Sequence, residues 1–199
     1  MHPTRYVIDR THGLRNLETL HDNVFWGGAE PRISICVPTL RHDVTPLLEG
    51  LAQCEAREAI EIIVYDDGSR DHDLLARMQA SAGHAGAAVL IVSAHNNRGR
   101  AAARNAAIAH ARADWVLLVD ADMTPDTPVF LQAYLDAIDC AGGPAIIVGG
   151  YSLLSAPNDR TYALHRWQAR MSECIPAEER RKAPGRYVFS SNVLGHRDV

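Results

Sequence analysis

At 199 residues the chain has the length of one domain with an appendage, enough to bury about 70% of its unfolded surface. Twenty Lys and Arg against 24 Asp and Glu give a formal charge of −4, which argues against a nucleic-acid binder, while 47% hydrophobic and 22% charged residues argue against disorder. No apolar run reaches the roughly 18 residues of a transmembrane helix, and MHPTRYVIDRTHGLRN has no apolar h-region, so neither a membrane span nor a signal peptide is expected.

Residues 1–30 are polar and lack sustained periodicity; they read as a leader with room for one short helix. Ile33–Pro38 (ISICVP) is an apolar run ended by proline, as in a buried strand. Val44–Cys54 has apolar positions at helical spacing, and Ile60–Tyr65 (IEIIVY) is a β-branched strand closed by the turn Asp66-Asp67-Gly68-Ser69. A helix over Asp71–Ala82, a strand over Val89–Ser93 and an Ala-rich helix over Arg100–Ala111 follow. Trp115–Val119 (WVLLV) is a strand ending at Asp120-Ala121-Asp122, Pro128–Ile138 is helical, and Ala145–Gly149 is a fifth strand. Tyr187–Gly195 (YVFSSNVLG) reads as one last strand and turn.

Strands alternate with helices four times, and the strands are continuous apolar runs. Both features predict a mostly parallel α/β sheet with helices on both faces. Ligands of such sheets bind outside the carboxyl ends of the strands. Thr39, Asp66, Asp67, Asp120 and Asp122 all fall at or just past those ends.

Cys36, Cys54, Cys140 and Cys174 are far apart and include no C-x-x-C pair, so they read as reduced and structural rather than as a zinc site, which points to a cytoplasmic protein. Residues 160–199 carry eight basic and four acidic side chains, so the rest of the chain holds the whole acidic excess. The segment EERRKAPGR has the charge to attract an anion, although a solvated loop is the plainer reading.

Three segments carry chemistry. In Asp120-x-Asp122, two carboxylates at a strand end can share one Mg²⁺ or Mn²⁺ and leave coordination positions for a diphosphate. In Asp66-Asp67-Gly68-Ser69, adjacent carboxylates need a ligand or donor to answer them; one suits a nucleobase or ribose, the other a cap of the next helix together with Ser69, Asp71 or Asp73. In Asn97–Asn105, a Gly-containing loop opens a helix, and Arg100 and Arg104 lie one turn apart on one side, as suits anion binding.

The ordered set Ile33-Ser34-Ile35-Cys36-Val37-Pro38-Thr39, Asp66-Asp67-Gly68-Ser69-x-Asp71, Asn97-x-Gly99 to Ala103-Arg104-Asn105, and Asp120-Ala121-Asp122-Met123-x-Pro125 resembles family 2 glycosyltransferases with the GT-A (Rossmann-like) fold. The last stretch is most similar to bacterial enzymes that polymerise glycosaminoglycan-like polysaccharides, and Phe189–Leu194 looks like the family's acceptor-side strand. The resemblance spans about residues 32–197. It implies an inverting, metal-dependent transfer of sugar from a nucleotide-sugar, usually a UDP-sugar, to a glycan or other hydroxyl acceptor, with Mn²⁺ or Mg²⁺. Carried over, Pro38 and Thr39 line the base pocket, Asp67 meets the uracil, and Asn97, Arg100 and Arg104 lie on the nucleotide side. Asp120 approaches ribose, sugar and metal, and Asp122 ligates the metal.

There are departures. Leu40 and Arg41 stand where the family often has an aromatic residue and Asn, and Ala107 replaces a common Gly. The general base, a carboxylate in members that invert, is expected beyond Val199, which makes the acceptor part incomplete. The resemblance thus divides the chain into a leader (1–30), a nucleotide-sugar-binding α/β domain (31–155) and the start of a truncated acceptor-binding region (156–199). His196 is in a position to add a metal ligand, although a loop histidine without that job is the plainer reading. With its base absent the chain would bind donor weakly and transfer no sugar. Val188, Phe189, Val193 and Leu194 would then lack a covering partner, which favours self-association. The competing function is a non-catalytic nucleotide- or carbohydrate-binding module of the same fold. A phosphoacceptor receiver is excluded, because the one lysine, Lys182, is not at a late strand end. No nucleic-acid partner is expected, and peripheral attachment at the inner face of the membrane is the alternative to a free cytoplasmic protein.

Overall fold

The computed structural model describes residues 5–9, 16–156 and 159–199. The elements are β1 (Arg5–Asp9), β2 (Asn16–Asp22), β3 (Ile33–Thr39), α1 (Thr45–Ala52), β4 (Ile60–Asp66), α2 (His72–His84), β5 (Ala88–Ala94), α3 (Arg100–His110), β6 (Trp115–Val119), α4 (Phe130–Ala141), β7 (Ile146–Val148), α5 (Ala163–Ser172), α6 (Ala177–Arg181) and β8 (Asn192–His196). The strands form one sheet in the order β1-β2-β5-β4-β3-β6-β8-β7. The α/β class and the sheet with helices on both faces are as the sequence predicts.

The four central strands, β5-β4-β3-β6, pair in parallel, with Thr39 beside Asp66 and Ile33 beside both Ile60 and Trp115. Because β8 is antiparallel to both β6 and β7, β7 runs in the same direction as the central strands. The first five strands expected from the sequence thus share a direction, but the last one, β8, runs against them and is inserted between the fourth and the fifth.

The β-branched runs explain the core. Ile33, Ile35 and Val37 of β3 and Ile60, Ile62 and Val64 of β4 face α1, α2 and α4, meeting Leu47, Leu48, Leu51, Met78 and Leu131. The alternate residues Cys36, Ile63 and Tyr65 face α3, which buries Ala103, Ala106 and Ala107 there and packs Ile108 beside them. Ala107, where the family often has Gly, is fully buried there, its methyl accommodated. Local signals set the helix ends. Asp71 caps α2, accepting from the Leu74 N–H at 2.9 Å, and Gly142, at φ +68°, closes α4 in the left-handed conformation.

Three expectations are corrected. The segment read as a leader with a short helix contributes β1 and β2, and among its described residues the helical turn is a 3-10 turn at Trp26–Gly28; residues 1–4 and 10–15 lie outside the described residues. Strand β2 pairs with β5 through backbone bonds, which need no apolar run, so composition did not reveal it. The last strand begins only at Asn192, after a 3-10 turn at Pro184–Tyr187. Val193 and Leu194 do not lack a cover, because β8 lies between β6 and β7 and both are buried; Phe189 packs edge-on against Tyr151 at 5.9 Å, and only Val188 is exposed.

Candidate functional site

The parallel strands bring their carboxyl ends to one rim, around a hollow of about 420 Å³. Pro38, Thr39, Asp67, Asn97, Arg100, Asp120 and Asp122 all line it. Arg104, the eighth residue singled out in the sequence, does not. Its Nη2 bonds Asp120 Oδ1 at 2.5 Å, and both side chains are mostly buried. Arg104 therefore holds Asp120 rather than facing the hollow beside Arg100. Leu40, His42, Gly99, Ala103 and Ala121 also line the hollow. Gly99, Ala103 and Ala121 lie inside the motifs read in the sequence but were given no role there, and Leu40 and His42 are brought to the hollow by the loop after β3.

The paired acids of the β4 turn are both answered, as their desolvation demands. Asp66 Oδ1 accepts from the Ser69 amide at 3.1 Å and from the Ser69 hydroxyl, which closes the turn. Asp67 accepts from the Arg98 amide at 3.0 and 3.1 Å and from the Gly99 amide at 2.8 Å, so it fixes the loop before α3. Burial pushes the Asp67 carboxyl above its ordinary range, a shift opposed by the Arg98 and Gly99 amides and the Arg98 charge and reinforced by Asp66. Of the residues the sequence offered as caps for the next helix, Asp71 is the one that does so.

Gly68 is required at this crossing. It sits at φ +85°, and a Cβ there would come within 2.7 Å of the Asn97 amide nitrogen. Next to it, Arg41 and Arg70 adopt positive φ, 53° and 55°. The Arg41 amide donates to Ser69 Oγ at 2.7 Å, and Arg70 Nε donates to the His95 carbonyl at 3.0 Å. Such strained residues cluster where loops are positioned for ligands.

Asp122 is exposed and opens on a second hollow of about 1130 Å³ as well as on the first. His42 lines both. The second hollow lies between α4 and the segment around α5, and Phe130, Ala137, Ile147, Leu153 and Ile175 make much of its wall apolar. Its frame is polar and well bonded. Asn192 accepts from the Tyr134 hydroxyl at 2.7 Å and donates to the Gly150 carbonyl at 2.8 Å. Arg180, of the segment read as an anion attractor, points inward and donates to the Val148, Gly149 and Ile175 carbonyls.

Among the described residues no group of three or more His, Cys, Asp or Glu is set to hold a metal ion. His196 adds no ligand to Asp120 and Asp122. It pairs with Trp115 at the opposite end of β6, and its ring packs edge-on against Trp115 at 5.0 Å. The histidine read as a loop residue is the last residue of β8.

Residues 34–191 match the family described as glycosyl transferase family 2. An undecaprenyl-phosphate 4-deoxy-4-formamido-L-arabinose transferase of Pseudomonas paraeruginosa is 29% identical over 70% of this chain and 40% of its own length. Two solved structures share the fold. S. aureus TarS (residues 1–349) superposes with a TM-score of 0.53 at 24% identity, over 61% of this chain and 36% of that one. Glucosyl-3-phosphoglycerate synthase from Mycobacterium tuberculosis, in complex with phosphoglyceric acid, gives 0.51 at 21% identity, over 85% of this chain and 58% of that one. The chain thus spans about two-fifths of the length of the Pseudomonas relative. With the rim acids, the Gly68 crossing and the loop before α3 all inside the matched residues, the chain belongs to glycosyl transferase family 2.

Proposed function

We propose that the smaller hollow takes a nucleotide-sugar, a UDP-sugar, and that the protein transfers its sugar with inversion to an acceptor entering from the larger hollow. The observation that carries the reading is the convergence of Pro38, Thr39, Asp67, Asn97, Arg100, Asp120 and Asp122, from four separate strand ends, on one 420 Å³ space. In this reading Pro38 and Thr39 border the base, Asp67 and Asn97 meet base and ribose, and Arg100 faces the diphosphate.

Asp120 and Asp122 would hold a Mn²⁺ or Mg²⁺ ion. The donor set fits a hard cation: both groups are carboxylates on the wall of the hollow, and Asp122 is exposed. Two protein ligands leave room for diphosphate oxygens and water. Bound there, the ion supplies charge stabilisation to the departing nucleotide. Arg104 holds Asp120 in place for this role.

Calorimetric titration of UDP with and without Mn²⁺ tests the site. Binding is expected to strengthen with Mn²⁺, and Asp122→Ala to abolish that gain. Equal affinity in the two conditions would refute a shared ion. Hydrolysis or transfer from a UDP-sugar separates an enzyme from a binding module, which would hold UDP and turn over nothing.

A second reading of the acceptor is favoured by the apolar wall of the larger hollow. The acceptor would then be a lipid-linked phosphate, the class named for the Pseudomonas relative. Transfer to a polyprenyl phosphate but not to oligosaccharides supports it; the reverse supports a glycan acceptor. No helix among the described residues is long and apolar enough to cross a membrane.

A further inference from the structure

The family match begins at residue 34, yet a carboxylate from ahead of it is built into the back of the candidate donor site. Glu18, on β2, is 1% exposed. Its Oε1 accepts from the Tyr65 hydroxyl at 2.6 Å, and its Oε2 lies 3.1 Å from Nε2 of His110, the last residue of α3. The Tyr65 oxygen accepts in turn from Nη2 of Arg98 at 3.1 Å. Burial, with Glu18 beside it, pushes the Tyr65 hydroxyl up, so it stays protonated and donates to Glu18.

Arg98 is thereby turned away from the hollow, while its neighbours Asn97 and Gly99 line it. Its backbone amide is bonded to Asp67 in front, and its guanidinium to Tyr65 behind. Glu18 thus grips α3 at both ends, through Tyr65 and Arg98 at the start and through His110 at the finish. A buried carboxylate is costly unless answered by donors, and this one is answered by groups that fix the loop.

We propose that Glu18 is a positioning residue of the donor site: acting through Tyr65 and Arg98, the N-terminal strand sets the Asn97–Gly99 loop at the height where it meets the ligand. The inference rests on the reading of the smaller hollow as a nucleoside diphosphate site.

The test uses the whole chain, UDP with Mn²⁺, and the variants Glu18→Ala, Glu18→Gln, Tyr65→Phe and Glu18→Ala/Tyr65→Phe. Glu18→Ala and Tyr65→Phe should each weaken UDP binding about tenfold, a size typical of residues that act through others. The double variant should be no weaker than either single one, because both cut the same chain. Glu18→Gln should recover most of the affinity, since an amide oxygen also accepts from Tyr65. Tyr65→Phe keeps the ring packing and decides the matter if Glu18→Ala fails to fold. Amide exchange at Arg98 and Gly99 is read in parallel and should quicken in the two single variants. Lowered melting temperatures with wild-type UDP affinity and unchanged exchange would overturn the inference, as would additive losses in the double variant. If the wild-type chain binds no UDP, the donor reading fails on its own, and exchange at Arg98 and Gly99 still decides whether Glu18 positions the loop.

Discussion

In β4 every side chain is buried, with Ile60, Ile62, Ile63 and Val64 at 0% exposure; in α5 only Ala169 is buried, and Leu164, Trp167 and Met171 are 75%, 62% and 66% exposed. Both elements are rich in apolar residues, but β4 has a neighbouring strand on each side and helices on both faces. The parallel core therefore draws its stability from area removed from water. The segment around α5 and α6 is held instead by directed bonds to backbone carbonyls, chiefly from Arg180. The two hollows inherit this difference. The smaller is walled by the ends of core strands, whereas the larger has the core on one side and the sparsely packed segment on the other.

The comparison breaks most directly by truncating its best-buried residues. Ile62→Ala should lower the unfolding free energy by about 2–5 kcal/mol, read from urea denaturation, because it opens a cavity in a close-packed core. A loss near zero would mean that the core is not the stabilising half.

Next in size is the ion pair at the rim. Arg104→Ala leaves Asp120, with its side chain 25% exposed, facing the hollow without its cation. The expected cost is about 1–3 kcal/mol of stability, and added Mn²⁺ should restore part of it if the ion binds Asp120. Restoration by NaCl at equal ionic strength would point to general screening instead.

Acidification sharpens the account of the loop. Asp67 is raised above its ordinary 3.8 by burial, so its protonation begins at a higher pH than for a free aspartate. Protonation weakens acceptance from the Arg98 and Gly99 amides. UDP affinity should therefore fall as pH decreases, with the fall starting above 3.8 and smaller in Asp67→Asn, where only the other rim carboxylates are left to titrate. The sign for folding is opposite: a carboxyl raised in the folded state opposes folding while ionised, and its contribution improves as pH falls through the folded value. Calorimetry and denaturation on the same samples separate the two.

The smallest effects are expected in the sparsely packed segment. Lys182→Ala removes an ion pair to Glu179 whose side chains are both more than half exposed, and Trp167→Ala removes an exposed ring. Each should change stability by no more than about 0.5 kcal/mol. If Trp167→Ala matched Ile62→Ala, something would cover α5 in solution and the contrast would fail. Sedimentation at several concentrations would then show whether a second copy is that cover, as self-association requires.

Much of the parallel core was legible in the sequence because each strand is a short β-branched run bounded by its own turn residues. The strand from Trp115 to Val119 appears as expected, and the acids at strand ends meet at one rim because parallel strands carry their carboxyl ends to the same side. The rest was decided by pairings between distant backbones. Strand β2, paired with β1, adds to β5, and β8 slides between β6 and β7, through ladder bonds that leave no mark on side-chain composition. Whether Arg98, Arg100 and Arg104 face a ligand or the protein also depended on tertiary partners. Arg100 lines the hollow, Arg104 bonds Asp120, and Arg98 is drawn back by Tyr65 and the buried Glu18. Sequence fixes which residues sit near a strand end, because that depends on neighbours along the chain. The direction in which a long cationic side chain points depends on which buried carboxylate must be neutralised, and only the folded chain brings that carboxylate within reach.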